Sequence, residues 1–156
     1  MKKLIATTLL SLLSTTAFAH VSLESPTAET GSYYKAVLRI PHGCDGTATN
    51  SITIQLPNKF LLAKPMPKAG WNLDIANDAA GNVTEIKYSG GNLPDAFYEE
   101  FIFRGKIAAP AGSTLYFKVA QVCEKGHIDW FDIPAAGQDE HSLEAPAASL
   151  KITAGK

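Results

Sequence analysis

His20 is the residue with the clearest chemical potential, because of what stands before it. It directly follows Ala17-Phe18-Ala19, a small-x-small pattern of the kind a signal peptidase cuts. Lys2 and Lys3 open the chain and an uncharged stretch rich in Leu, Ala and Thr runs from Leu4 to Phe18, which completes the grammar of a secretory signal. Cleavage after Ala19 would make His20 the amino terminus. A terminal histidine offers a metal two nitrogens from one residue, the α-amine and an imidazole nitrogen, in a chelate ring that an internal histidine cannot form. Divalent copper suits nitrogen-rich tetragonal sites and stands at the top of the divalent affinity order. The amine, with a reference pKa of about 8, must lose its proton to bind, so affinity is expected to fall with pH.

Other candidate ligands are weaker. His42 sits in "PHGCDG", a turn sequence; His127 opens "HIDW"; His141 lies in the acidic loop "QDEHSLE". Each reads as an ordinary turn or surface residue, since a metal site needs convergence that their spacing does not show. His127 and Trp130 differ by an odd count and so face opposite sides of a strand. Met66, between two prolines, reads as loop packing, and Trp71 as structural. No nucleophile elbow, His-Glu-x-x-His, phosphate loop or dinucleotide fingerprint occurs.

The two cysteines, Cys44 and Cys123, are 79 positions apart. In an exported chain they are expected to form a disulfide, and closing a loop of that size gives about 4 kcal/mol in the chain-entropy picture.

The elements that must position these groups read as strands. "YYKAVLRI", "SITIQL", "GWNLDIAN", "VTEIKYS", "EEFIFRGKIAA", "STLYFKVAQVC", "HIDWFDI" and "SLKITA" are short runs bounded by Gly, Pro and Asn. In "STLYFKVAQV", Leu115, Phe117 and Val119 share one face and Tyr116 and Lys118 the other. "PHGCDGTATN", "NKFLLAKPMPKAG" and "PAAGQDEHSLEAPAA" read as loops. No segment carries a sustained helical apolar period. The expected fold is all-β, an antiparallel two-sheet sandwich of Greek-key type with one disulfide. The expected organisation is a cleaved signal at 1–19 and a single domain at 20–156.

Charge and hydropathy narrow the classes. Losing Lys2 and Lys3 changes 14 basic and 15 acidic side chains to 12 and 15, a formal charge of −3. The basic residues are dispersed, so a nucleic-acid partner is not expected. Every apolar run after Val21 is interrupted within a few residues, so no membrane span is expected in the mature chain.

The segments "HVSLESPTAETGSYYKAVLRIPHGCDGTATNSITIQLP", "KPMPKAGW", "KYSGGNLPDAFYEEFIFRGKIAAPAGSTLYFKVAQVCEKGHIDWFDIP" and "LEAPAASLKI" resemble the YcnI-like family of bacterial extracytoplasmic copper-binding domains. That resemblance implies an immunoglobulin- or fibronectin-like sandwich and one Cu(II) per chain in a single-histidine brace. It also implies the site residues: His20 for the two nitrogens, Glu100 of "YEEF" for a carboxylate and Trp130 of "HIDW" as the neighbouring aromatic. Glu99 and Glu100 point to opposite faces of a strand, so only one reaches a given site. Glu24 is the rival carboxylate, sharing a face with His20 if the segment is extended. Trp130 would pack beside copper, since an indole offers only an N–H donor.

The expected function is therefore a non-enzymatic Cu(II)-binding protein of the periplasm or another extracytoplasmic space. It would act in copper acquisition, storage or delivery, exchanging copper with an envelope chaperone or transporter. The alternative is a copper-dependent oxidative enzyme similar to lytic polysaccharide monooxygenases, which use a brace of two histidines. A metal-free carbohydrate- or protein-binding sandwich, using Tyr33, Tyr34 and Tyr98, is a third reading.

Overall fold

A computed structural model describes residues 20–155, and the expected cleavage segment 1–19 lies outside the described residues. Eleven strands follow in order: β1 Ser22–Leu23, β2 Thr27–Glu29, β3 Tyr33–Ile40, β4 Thr49–Gln55, β5 Phe60–Pro65, β6 Asn72–Asn77, β7 Val83–Leu93, β8 Glu99–Ile107, β9 Thr114–Cys123, β10 His127–Trp130 and β11 Ala148–Thr153. Among the described residues the only helical element is a single 3-10 turn at Glu140–Ser142, and no helix is long and apolar enough to cross a membrane.

The strands form two sheets. The first has the order β1-β3-β8-β5; the second runs β2-β11-β9-β4-β7-β6, with β10 also on β9. β11 and β10 share one edge of β9, pairing with residues 114–117 and 119–122 respectively, while β4 takes the other edge. All pairings between named strands are antiparallel except β2 with β11. The chain therefore changes sheet between Leu23 and Thr27, so its first two strands belong to opposite layers.

Period-two alternation builds the core. Ala36, Leu38, Ile40, Phe101, Phe103 and Ile107 of the first sheet face Ile52, Ile54, Ile86, Phe117, Val119 and Leu150 of the second, each at most 1% exposed. Phe60 meets Phe103 and Phe117 edge-on, at ring separations of 5.7 and 5.2 Å. Tyr88 reaches across from the second sheet, its hydroxyl donating to the Met66 carbonyl at 2.9 Å with the Ile102 carbonyl at 3.2 Å. Burial pushes its pKa up to about 12. Trp71 stands edge-on to Phe101 at 5.0 Å and lies flat against Gly91, where a Cβ would collide with the indole ring. The Gly90-Gly91 pair of the sequence thus marks a close approach within β7 as well as a punctuation point.

Most of the strands read from the sequence are present, but "NKFLLAKPMPKAG" holds β5, which pairs with β8. A register shift between Leu61 and Lys64, with Leu62 at a φ of 53°, breaks the alternation that would have revealed it. β1 and β2 are two and three residues long and show no period.

Candidate metal centre

Trp130 ends β10 on the side that turns inward and is 3% exposed. Its indole N–H donates to Oε1 of Gln121 at 2.9 Å. Gln121 occupies the core-facing row of β9 that begins with Leu115, Phe117 and Val119, and it is fully buried. A polar side chain there is tolerable only with every group bonded. Its Nε2 donates to the His42 carbonyl and to Thr49 Oγ1, both at 2.7 Å. Thr49 Oγ1 lies in turn 3.6 Å from Cys123 Sγ. Among the described residues no buried side-chain nitrogen or oxygen is left without a partner.

The turn that carries His42 is held from several directions. Cys44 and Cys123 form the expected disulfide. The Gly43 N–H donates to Asp95 Oδ1 at 2.9 Å, and a Cβ at Gly43 would collide with the Thr47 carbonyl. Cys44 and Thr47 exchange backbone hydrogen bonds of 3.2 and 2.8 Å around Asp45 and Gly46. Both central residues have positive φ, 47° and 73°, which is why an Asp-Gly pair is suited to this turn.

Two imidazoles stand against the one indole. The His20 ring centroid is 6.0 Å from that of Trp130 at an interplanar angle of 63°, and the His42 centroid is 6.2 Å away at 64°. Both histidines are half-buried. The sequence pairs His20 with Trp130 through resemblance, and the rings do meet. It reads His42 as a plain turn residue and gives Gln121 no role. The only available signal was an amide on an otherwise apolar strand face.

The two candidate carboxylates also converge, on a residue the sequence reading did not single out. The register aligns Ser22, Arg39 and Glu100 across β1, β3 and β8. Arg39 donates from a terminal nitrogen to Glu24 Oε1 at 2.8 Å and from Nε to Glu100 Oε1 at 3.2 Å. The Tyr34 hydroxyl donates to the Ser25 carbonyl at 2.6 Å, tying the chain beside Glu24 to β3. Burial, with the Glu24 charge as a smaller cause, pushes the Tyr34 pKa up to about 12. Glu99 lies 2.8 Å from Lys68. Desolvation raises its pKa, but the Lys68 hydrogen bond and charge and the Glu100 N–H outweigh that and leave it lowered.

The remaining candidates stay apart. His127 is exposed and 4.0 Å from Asp129, His141 is exposed in the 3-10 turn, and Met66 is half exposed. Among the described residues no three His, Cys, Asp or Glu side chains form a closed metal cage. A brace on a terminal histidine requires no such cage, because one residue supplies two of its donors.

The family described as "Domain of unknown function (DUF1775)" matches residues 20–152. The chain belongs to this family. It is the same family as the YcnI-like domains that the sequence motifs resemble. The DUF1775 match begins at His20 itself. No curated protein matches the sequence significantly. Among solved structures, an uncharacterised protein of Nocardia farcinica with an immunoglobulin-like fold is 22% identical, at a TM-score of 0.72 over 86% of this chain and 99% of its own. A cohesin module from a family 33 glycoside hydrolase of Clostridium perfringens is 11% identical, at a TM-score of 0.53 over 87% of this chain and 97% of its own. These likenesses establish the immunoglobulin-like sandwich for this DUF1775 domain and nothing about its ligand.

Proposed function

We propose that this DUF1775 domain binds one Cu(II) through His20 after cleavage behind Ala19, as a non-enzymatic copper-handling protein of the periplasm or another extracytoplasmic space. The observation that carries the reading is the His20 imidazole seated against the buried Trp130 indole, 6.0 Å between ring centroids. A terminal histidine that merely trailed into solvent would have no such seat. The fit to copper rests on the donor set: an amine and an imidazole from one residue, suited to a nitrogen-preferring divalent ion.

Glu100 is the carboxylate we assign, with Glu24 the rival, and either must leave Arg39 to reach a metal. That exchange is modest, because all three side chains are partly exposed and such pairs contribute about 0–1 kcal/mol. Trp130, held by Gln121, would wall one side of the site and keep water from it. The Cys44–Cys123 disulfide supports an oxidising compartment.

Electron paramagnetic resonance of protein beginning at His20, against a form carrying one extra residue before it, tests the reading. The native form should give a defined Cu(II) spectrum at one equivalent, and the extended form should lose it. Matching spectra and affinities in the two forms would defeat the assignment.

A further inference from the structure

We propose that the outer face of the first sheet docks this domain on a membrane surface rich in anionic phospholipid headgroups. The inference is independent of the copper reading and concerns a different part of the molecule.

Strand register gathers bases that are dispersed along the sequence. Alternation sends Ala36 and Leu38 of β3 and Phe103 and Ile107 of β8 to the core, so Tyr33, Lys35, Arg104 and Lys106 project from the opposite face. Lys35 stands opposite Arg104, and Arg104 opposite Lys64 of β5. Three cations therefore form one row across three strands, about 10 Å from end to end. Lys106 lies two positions further along β8, between Tyr33 and Leu61. All four cations are exposed, and among the described residues none of them is in an ion pair. The only acids on the strands of this sheet, Glu99 and Glu100, sit at the other end of β8 and engage Lys68 and Arg39. A chain that is net acidic thus carries an uncompensated cationic face.

Apolar exposure on the same face separates an anionic membrane from a dissolved polyanion. Tyr33 is 58% exposed, with the Arg104 guanidinium over its ring at 4.9 Å from the centroid. Leu62 is 57% exposed, set out of the β5 alternation by the bulge between Leu61 and Lys64. An aromatic ring and an aliphatic side chain beside lysines add binding at a lipid interface, whereas a phosphate or acidic-sugar backbone offers the leucine no apolar surface. Three of the four cations are lysines, point charges on flexible stems that suit a fluid array of headgroups better than one fixed phosphate geometry.

The test is cosedimentation of protein beginning at His20 with vesicles of phosphatidylcholine containing about 30% phosphatidylglycerol, against phosphatidylcholine alone. Binding should require the anionic lipid and fall steeply towards 1 M salt, where the Debye length is about 3 Å. Each cation near such a surface is expected to contribute about fivefold, so Lys35→Gln, Lys64→Gln and Lys106→Gln together should weaken binding roughly hundredfold. Lys87→Gln, Lys125→Gln and Lys151→Gln together change the net charge equally but away from this face, and should alter binding less than about threefold. All six lysines are exposed, so both triple variants keep the fold. Leu62→Ser should weaken vesicle binding as well.

An absence of binding that depends on anionic lipid, or equal losses in the two triple variants, would overturn the proposal. Binding to heparin or duplex DNA through Lys35, Lys64 and Lys106 without binding to the vesicles would assign the face to a dissolved polyanion and overturn it equally.

Discussion

Replacing Gln121 with leucine should destabilise the fold well beyond what a change of similar volume implies. The amide makes three hydrogen bonds in a fully buried position, to the Trp130 indole, the His42 carbonyl and Thr49. Leucine satisfies none of them. Thr49 keeps its contact with Cys123 Sγ, the His42 carbonyl loses this donor, and the indole N–H is stranded. A stranded buried donor or acceptor costs roughly 1–3 kcal/mol. That cost, with the two other hydrogen bonds lost at about 1 kcal/mol each, outweighs the gain of about 1 kcal/mol from burying a more apolar side chain. The expected net loss is roughly 2–4 kcal/mol, or a fall in Tm of about 10 °C at this chain length.

Urea denaturation followed by circular dichroism would read this as a lower midpoint with an unchanged slope. A double-mutant cycle with Trp130→Phe isolates the indole bond, since removing both partners is far less costly than removing one. The coupling should be roughly 1–2 kcal/mol. A Gln121→Leu variant within about 0.5 kcal/mol of wild type, or strictly additive with Trp130→Phe, would refute the role given to these hydrogen bonds.

Three other outcomes are expected. Replacing both cysteines with alanine should cost about 4 kcal/mol, measured by denaturant melts, and it should loosen the turn bearing His42. Tyr34 and Tyr88 have folded pKa values near 12, above the value of about 10 for a free tyrosine, so their contribution to stability is intact below pH 10. It is lost as pH rises from about 10 towards 12; ionisation of these two, read as the tyrosinate absorbance missing from Tyr34→Phe and Tyr88→Phe, well before unfolding would contradict this. Arg39→Gln should change stability by less than about 1 kcal/mol yet tighten copper binding by freeing the carboxylates. Unchanged affinity in a calorimetric titration would count against Glu100 and Glu24 as ligands.

What the sequence made legible was whatever depends on local period. β3 coincides with "YYKAVLRI", and the inward row of Leu115, Phe117 and Val119 follows from alternation alone. β5 was hidden by its bulge and its terminal proline, and β2 by being three residues whose partner, β11, lies at the far end of the chain. The site divides in the same way. His20 was conspicuous from its place behind Ala19, and the family resemblance supplied Trp130. His42 was passed over because its approach to Trp130 depends on Gln121, 79 positions away, and on the β1–β3 register. Arg39 likewise gains its meaning from Glu100, which no local pattern places beside it.

The crossing of the chain from one layer to the other between β1 and β2 has a mechanical consequence. β2 and β11 run parallel, with Ala28 beside Ile152, so tension applied at the two ends of the domain pulls them lengthwise in opposite directions. Bonds arranged that way share a load and must give together, whereas those of an antiparallel hairpin open one at a time. The two-residue β1 pairing would yield first, carrying His20 away from Trp130 while β2 still held the sandwich shut. A pull on the amino-terminal segment is thus a route to disturbing the site without unfolding the domain.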